Sequence, residues 1–256
     1  MIANYHTHTW RCNHATGNEK QYVENALKAG LEILGFADHT PYVFPDGYHS
    51  GFRMEPEQLP GYVDTVLKLR DEYAGRIQIP LGLETEYYPR HFEELLSLLR
   101  EYPMDYLILG QHFVGNEYDA PYNGLASRDE ALLRQYVHQS CDAMNTGLFT
   151  YFAHPDLLNF QGSEKVYRHY MRDICREARS CGVPLEFNLL GLAGGRHYPT
   201  PVFWELAAEE GCLCVLGRDA HSPEALLDEK SEQRALGILR ELGMVLLETV
   251  ELRNIR

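Results

Sequence analysis

Missing from this 256-residue chain is any apolar run near the roughly 18 residues that a membrane-spanning helix needs. The N-terminus also lacks a basic stretch followed by a hydrophobic segment, the pattern of a secretory signal, so the expected compartment is the cytoplasm. The six cysteines, Cys12, Cys141, Cys175, Cys181, Cys212 and Cys214, are scattered and form no C-x-x-C pair. Neither a zinc knuckle nor a disulfide framework is expected from them. Cys212 and Cys214 alternate in an apolar segment, as core residues do, and Cys12 has only its closeness to His14 to bring it near a metal. Positive charge is scarce as well: 23 lysines and arginines face 37 acidic residues, a formal net charge of −14. A general nucleic-acid surface would be basic, so that class of partner is not expected, nor is a membrane. An anionic small molecule remains compatible, because bound divalent cations reverse the local sign.

No linker or internal repeat divides the chain, which alternates apolar strand segments with helical ones. Ile2–Tyr5 reads as a first strand, and a helix follows over Asn18–Ala29 with Gly30 as its stop. Glu32–Asp38 is a second buried strand, Ile77–Leu83 a third and Asp105–Leu109 a fourth. Phe149–Ala153, Pro184–Phe187 and Cys212–Leu216 complete seven. Between them lie helices over Glu57–Tyr73, His91–Arg100, from a capping box at Ser127–Glu130 to Asn145, from Ser163 to Cys181, and from Thr200-Pro201 to Gly211. A last helical region opens at Ser222-Pro223. The loop from Thr40 to Met54 is long enough to be functional and is rich in aromatic residues. Seven strand-helix units predict a parallel α/β fold, a single (β/α) barrel, with an open doubly wound sheet as the alternative. In either fold, chemistry sits at the C-terminal strand ends.

Polar residues gather where that rule asks for them. His6 and His8 follow the first strand and, two apart in extended chain, point to one face. Alone, such a pair equally fits two exposed histidines. His14 lies in the adjoining loop, His39 follows strand two, Glu84 strand three, His112 strand four and His154 strand five, while Asp219 and His221 follow strand seven. Nine imidazoles and carboxylates converging on one rim would need mutual compensation, which a metal cluster supplies. Imidazole with a little carboxylate suits Zn²⁺, Fe²⁺ or Mn²⁺ better than the oxygen-seeking Mg²⁺ or Ca²⁺. Nine ligands are too many for one ion; three dications beside Glu84 and Asp219 would leave about +4 on the site. Such a site attracts phosphate and supports metal-assisted phosphoester hydrolysis. Arg196 and Arg53 are candidates to bind the phosphate, because a guanidinium matches its geometry. His49, His91, His138 and His169 read as solvent-facing, His197 as a loop histidine, and Asn188 as either a rim ligand or a loop hydrogen-bonding residue.

The segments His6-Thr7-His8, Cys12-Asn13-His14, Ala37-Asp38-His39-Thr40-Pro41, Gly82-Leu83-Glu84, Gln111-His112, Ala153-His154-Pro155-Asp156 and Asp219-Ala220-His221 together resemble the polymerase-and-histidinol-phosphatase (PHP) superfamily. The loop carrying Arg53-Met54, the Gly82–Tyr87 run and Gly195-Arg196-His197-Tyr198-Pro199 resemble its histidinol-phosphate phosphatase branch. The resemblance covers nearly the whole chain. It implies one PHP domain over residues 1–256, a distorted seven-unit, TIM-like (β/α) barrel, and a trinuclear centre. In that scheme His6, His8, Glu84 and Asp219 hold one metal; Glu84, as a bridge, holds a second with His112 and His154; His14, His39 and His221 hold a third. Glu84, Asp219 and His221 would be the catalytic residues, and the substrate would be L-histidinol phosphate. A phosphoesterase of broader range, acting on nucleotides or other small phosphomonoesters, shares the same metal motifs. A non-catalytic, polymerase-associated metal module is the reading from another class, and it predicts salt-sensitive nucleic-acid binding.

Overall fold

Alternate residues along the strand segments are both apolar, and the chain uses both faces. Tyr106, Ile108, Tyr151, Ala153 and Val215 pack into one buried cluster with Ala3, Tyr5 and Ala37. Their neighbours Leu107, Leu109, Phe149, Phe152, Cys214 and Leu216 pack into a larger one with the helices. Strands buried on both faces and separated by helices pair in parallel. The computed structural model describes residues 1–255. Among them the strands are β1 (Ala3–Asn4), β2 (Ile33–Leu34), β3 (Phe36–His39), β4 (Leu81–Thr85), β5 (Tyr106–Leu109), β6 (Phe149–Phe152), β7 (Leu185–Asn188), β8 (Leu213–Gly217) and β9 (Val245–Leu246). β1 pairs with β2, and β3 to β9 form one seven-stranded parallel sheet in chain order. A doubly wound sheet reverses its order at a switch point. No such reversal occurs among the described residues, and the order is that of a TIM-like α/β fold.

The helices are α1 (Glu19–Lys28), α2 (Leu59–Glu72), α3 (Phe92–Leu99), α4 (Glu130–Asn145), α5 (Glu164–Cys181), α6 (Leu189–Ala193), α7 (Pro201–Glu209) and α8 (Glu229–Glu241). Thr200 caps α7 by accepting from the Phe203 amide, and Gly182 ends α5 in the left-handed region at φ 61°. The start of α4 differs from the sequence expectation. Asp129, not Ser127, caps it by accepting from the Ala131 and Leu132 amides, while Ser127 accepts from the Asp129 amide. Three further elements differ: the second strand breaks at Gly35, and α6 and β9 were not expected. Glycine at the break has a steric cause. A Cβ on Gly35 or Gly82 would overlap the Tyr106 ring, whose hydroxyl donates toward the Tyr5 and Phe36 carbonyls.

Residues 3–8 have hydrogen-bonded neighbours on both flanks. On one side Gly35 N donates to Asn4 O and Ala37 N to Thr7 O; on the other His8 N donates to Ala220 O and Ala220 N to His6 O. The first strand segment is thereby held between β3 and the chain leaving β8.

Candidate metal centre

Backbone geometry aims the predicted side chains before any side-chain contact is considered. His39 ends β3 and Glu84 lies in β4 beside it in register, while His112, His154 and Asp219 follow β5, β6 and β8 within three residues. His154 and Asp219 adopt left-handed backbone, φ 33° and 48°. Non-glycine residues adopt it uncommonly, histidine and aspartate more often than most.

All nine predicted residues meet. His6 Nε2 and His8 Nε2 are 3.1 Å apart. Each lies 3.5 Å from Glu84 Oε2, and they stand 3.4 and 3.1 Å from Asp219 Oδ1. The other Glu84 oxygen, Oε1, lies 2.8 Å from His154 Nε2 and 3.5 Å from His112 Nε2. His14 and His221 bring their Nε2 atoms within 2.9 Å, and the groups His14–His39–His221, His6–His8–Asp219 and His6–Glu84–His154 could each hold a metal ion. His6, His8, Glu84 and His154 are buried; His14 is exposed and His221 half-buried at the mouth. The residues line or underlie a cavity of about 480 Å³ whose remaining wall includes Phe52, Phe113, Tyr122, Leu190, Arg196 and Tyr198.

The ring orientations follow from partners behind the cluster. His6 Nδ1 faces Glu186 Oε2 at 2.8 Å, His112 Nδ1 faces Glu86 Oε1 at 2.7 Å, and His14 Nδ1 faces the Cys12 carbonyl at 2.7 Å. His221 Nδ1 faces the Asp219 carbonyl at 2.9 Å. Carboxylate and carbonyl oxygens only accept, so each Nδ1 carries a proton and Nε2 is the nitrogen turned inward, with its lone pair available to a metal once that nitrogen is unprotonated.

Inside the cluster two of the convergent atoms are left unsatisfied. Glu84 Oε2 and His39 Nδ1 are 3.0 Å apart and buried, yet neither has a hydrogen-bond partner. Lone pairs gathered but misaligned for hydrogen bonding are what a cation accepts, and a largely imidazole set fits divalent transition metals. The charge balance agrees. Burial opposes charge on His6, but Glu186, Asp219 and Glu84 outweigh it and hold the ring well above its ordinary range. Burial is likewise outweighed at His8, which Asp219 and Asp38 raise to about 9. Glu84 and Asp219 are pushed up by burial and pulled further down by the histidines, to well below the usual carboxylate range. At the mouth, burial and the neighbouring His8 lower His14, and lower His221 to about 3. The carboxylates therefore demand positive charge from protons or from metal.

Residues 4–189 match the PHP domain. The chain belongs to the PHP domain family. It is 35% identical over 234 residues to the "Probable histidinol-phosphatase" of Deinococcus radiodurans, with 87% of each chain covered. It is 28% identical over 248 residues to the histidinol-phosphatase of Bacillus subtilis, covering 84% of this chain and 92% of that one. These relatives place this PHP domain in the histidinol-phosphatase branch. In fold it is similar to the histidinol phosphate phosphatase of Lactococcus lactis, crystallised with zinc, L-histidinol and phosphate. The TM-score is 0.74 at 21% identity, over 98% of this chain and 97% of that one.

One predicted site residue of the PHP domain is elsewhere. Arg53 is buried and spends its guanidinium on Glu86, Glu117 and the Thr40 carbonyl, so it has no donor to offer a phosphate. A buried guanidinium must be neutralised, and the two glutamates do so. Arg196 does line the cavity, with Nη1 donating to the Tyr198 hydroxyl at 2.7 Å. His197 turns away to the Leu157 carbonyl. Asn188 donates to Glu186 and Asp219 and accepts from the Gly191 amide, bracing the rim. Glu186 and Glu86 were missed as partners of His6 and His112. Their signal in the sequence is a carboxylate inside an otherwise apolar strand at 186, and a second glutamate two residues beyond Glu84 on the same face.

Proposed function

We propose that the chain is a metal-dependent phosphomonoesterase that hydrolyses L-histidinol phosphate to L-histidinol and inorganic phosphate, a step of histidine biosynthesis in the cytoplasm. The observation that carries this reading is the convergence of seven histidines, Glu84 and Asp219 on one cavity, in a chain whose relatives bear the histidinol-phosphatase name. Three divalent ions, zinc, iron or manganese, would be held by His6, His8, Glu84 and Asp219; by Glu84, His112 and His154; and by His14, His39 and His221. The short distances within each set support that division. The hydrogen bonds on both flanks of residues 3–8 support a closed, distorted seven-unit (β/α) barrel, one PHP domain over 1–256, with the metals at its C-terminal strand ends.

When bound, the ions would supply Lewis-acid stabilisation of phosphoryl oxygens and a more acidic water. The chain's own groups do the rest. Glu84 and Asp219 provide the negative charge that keeps cations in a buried cavity, and Glu84 serves two sets because its oxygens face opposite ways. His221 keeps its Nε2 lone pair free of protons at neutral pH. Arg196, oriented by Tyr198, offers a guanidinium to the substrate phosphate. Phe52, Phe113 and Leu190 wall the cavity and reduce the water around the reacting phosphate.

The deciding experiment measures phosphate release from histidinol phosphate beside other phosphomonoesters and a dinucleotide, with metal content assayed. A preference in kcat/KM of a hundredfold or more, roughly 2.7 kcal/mol, is expected. Comparable rates across the panel would overturn the substrate and leave the metal site standing. Arg196→Ala should lower kcat/KM for the phosphomonoester about 10- to 100-fold, the worth of a charge-assisted hydrogen bond, mainly through KM. Unchanged kinetics would remove Arg196 from phosphate binding.

Metal affinity should also depend on pH in a definite direction. His6 and His8 hold protons in the metal-free protein, His8 up to about pH 9, and those protons must leave when a metal binds. Zinc affinity is therefore expected to rise between pH 6 and 9, by up to about tenfold per unit for each proton displaced. Chelator competition at several pH values measures this, and a flat profile would contradict the arrangement of charge described above.

A further inference from the structure

Arg53 lies in the long loop between β3 and α2, 1% exposed, and each nitrogen of its guanidinium donates at least one hydrogen bond. Nε donates to Glu117 Oε2 at 2.8 Å, and Nη1 donates to the Thr40 carbonyl at 2.7 Å and to Glu86 Oε2 at 3.0 Å. Nη2 donates to Glu86 Oε1 at 3.0 Å and lies 2.7 Å from Glu117 Oε2. The guanidinium thus grips both oxygens of Glu86. One of them, Oε1, also takes His112 Nδ1 at 2.7 Å, and the far nitrogen of that ring faces Glu84. The preceding residue, Phe52, stands edge-on to His39 and His112, with ring centroids 4.9 and 5.8 Å apart, and lies 4.4 Å beneath the Arg53 guanidinium. Asn13, beside His14, donates to the Arg53 carbonyl at 3.2 Å. A purely structural ion pair need not share its carboxylate with a ring in the candidate centre.

We propose that Arg53 is a positioning residue: by clamping Glu86 it fixes the His112 ring, so that docking of the 40–54 loop and metal binding at His112 form one coupled equilibrium. This rests on the reading of His112 as a metal ligand. A carboxylate held by a guanidinium fork has one orientation, and the imidazole bonded to it inherits that orientation. Coupling of this kind is reciprocal: whatever the loop gives the metal, the metal returns to the loop. Phe52 rides on the same segment, so the apolar wall of the cavity and the metal ligand are set together.

The test uses metal-stripped full-length protein titrated with zinc against a chelating indicator, for the wild type, Arg53→Lys and His112→Ala. Lysine keeps the charge and loses the fork. Arg53→Lys is expected to weaken zinc binding 10- to 100-fold, as loss of a partner behind a ligand does. His112→Ala should lose a zinc equivalent; if it binds as the wild type does, the ligand reading itself fails. If His112→Ala is impaired and Arg53→Lys is not, the ligand reading survives and the coupling is overturned. Hydrogen exchange on the wild type checks the reciprocal half without any substitution, and decides the matter should Arg53→Lys fail to fold. Amides of residues 47–54 should be protected about tenfold or more by zinc, and equal protection with and without zinc would overturn the proposal.

Discussion

Glu84→Gln is expected to lower kcat for phosphate release at least about a thousandfold, near 4 kcal/mol of barrier, and to leave the protein short of bound metal. The substitution preserves shape, so the effect isolates charge and donor type. Glu84 is buried among five histidines that reach its carboxylate at 2.8 to 3.5 Å, Oε1 on one side and Oε2 on the other. A carboxamide supplies one acceptor where two are needed and turns an N–H₂ toward an imidazole. It also removes the negative charge that would offset cations at a buried position. Metal analysis beside steady-state kinetics measures the outcome, with circular dichroism to establish that the fold persists. A fully metallated and active variant would sink the proposed bridging role.

The second large effect lies at a glycine. Gly110 follows β5 directly, and a Cβ there would overlap the Glu84 carboxyl group. Its φ is outside the left-handed region, and the three nearest atoms such a Cβ would meet all belong to the Glu84 side chain. Gly110→Ala is expected to displace that side chain and cost roughly 1–3 kcal/mol of stability through overpacking, a few degrees in Tm. Activity should fall about a hundredfold or more together with metal content, because ligand geometry tolerates little displacement. Calorimetry and metal analysis on the same preparation test both halves. Normal metal content and turnover would mean that Glu84 has a second workable position. Gly217 bears the same relation to Glu186, so Gly217→Ala offers a milder comparison: it disturbs the partner of His6 and not a residue of the cavity wall.

Much of the centre was legible beforehand because its pattern is local. A strand end is marked by an apolar run followed by a polar residue, and His6, His8, His39, Glu84, His112, His154, Asp219 and His221 all occupy such places. The alternation of parallel strands with helices was legible for the same reason. Element boundaries were less so. Asp129 outcompeted Ser127 as a cap because its carboxylate reached two amides. β9 is only two residues long, too short to show a period. Arg53 was misread because a loop arginine near phosphate-binding motifs has the right chemistry for either of two partners, a phosphate or a pair of glutamates.

By itself, then, the sequence determined the order of elements, the imidazole or carboxylate at each strand end and the family to which the chain belongs, since each is written within a few neighbouring residues. Tertiary structure alone decided which groups answer one another. Glu186 meets His6 across 180 positions, and Arg53 meets Glu86 across 33. The space for Glu84 and Glu186 depends on side chains that Gly110 and Gly217 do not have. The physical reason is that a buried charge is defined by what neutralises it, and in a parallel sheet of crossover connections the neutralising group comes from a distant segment of the chain.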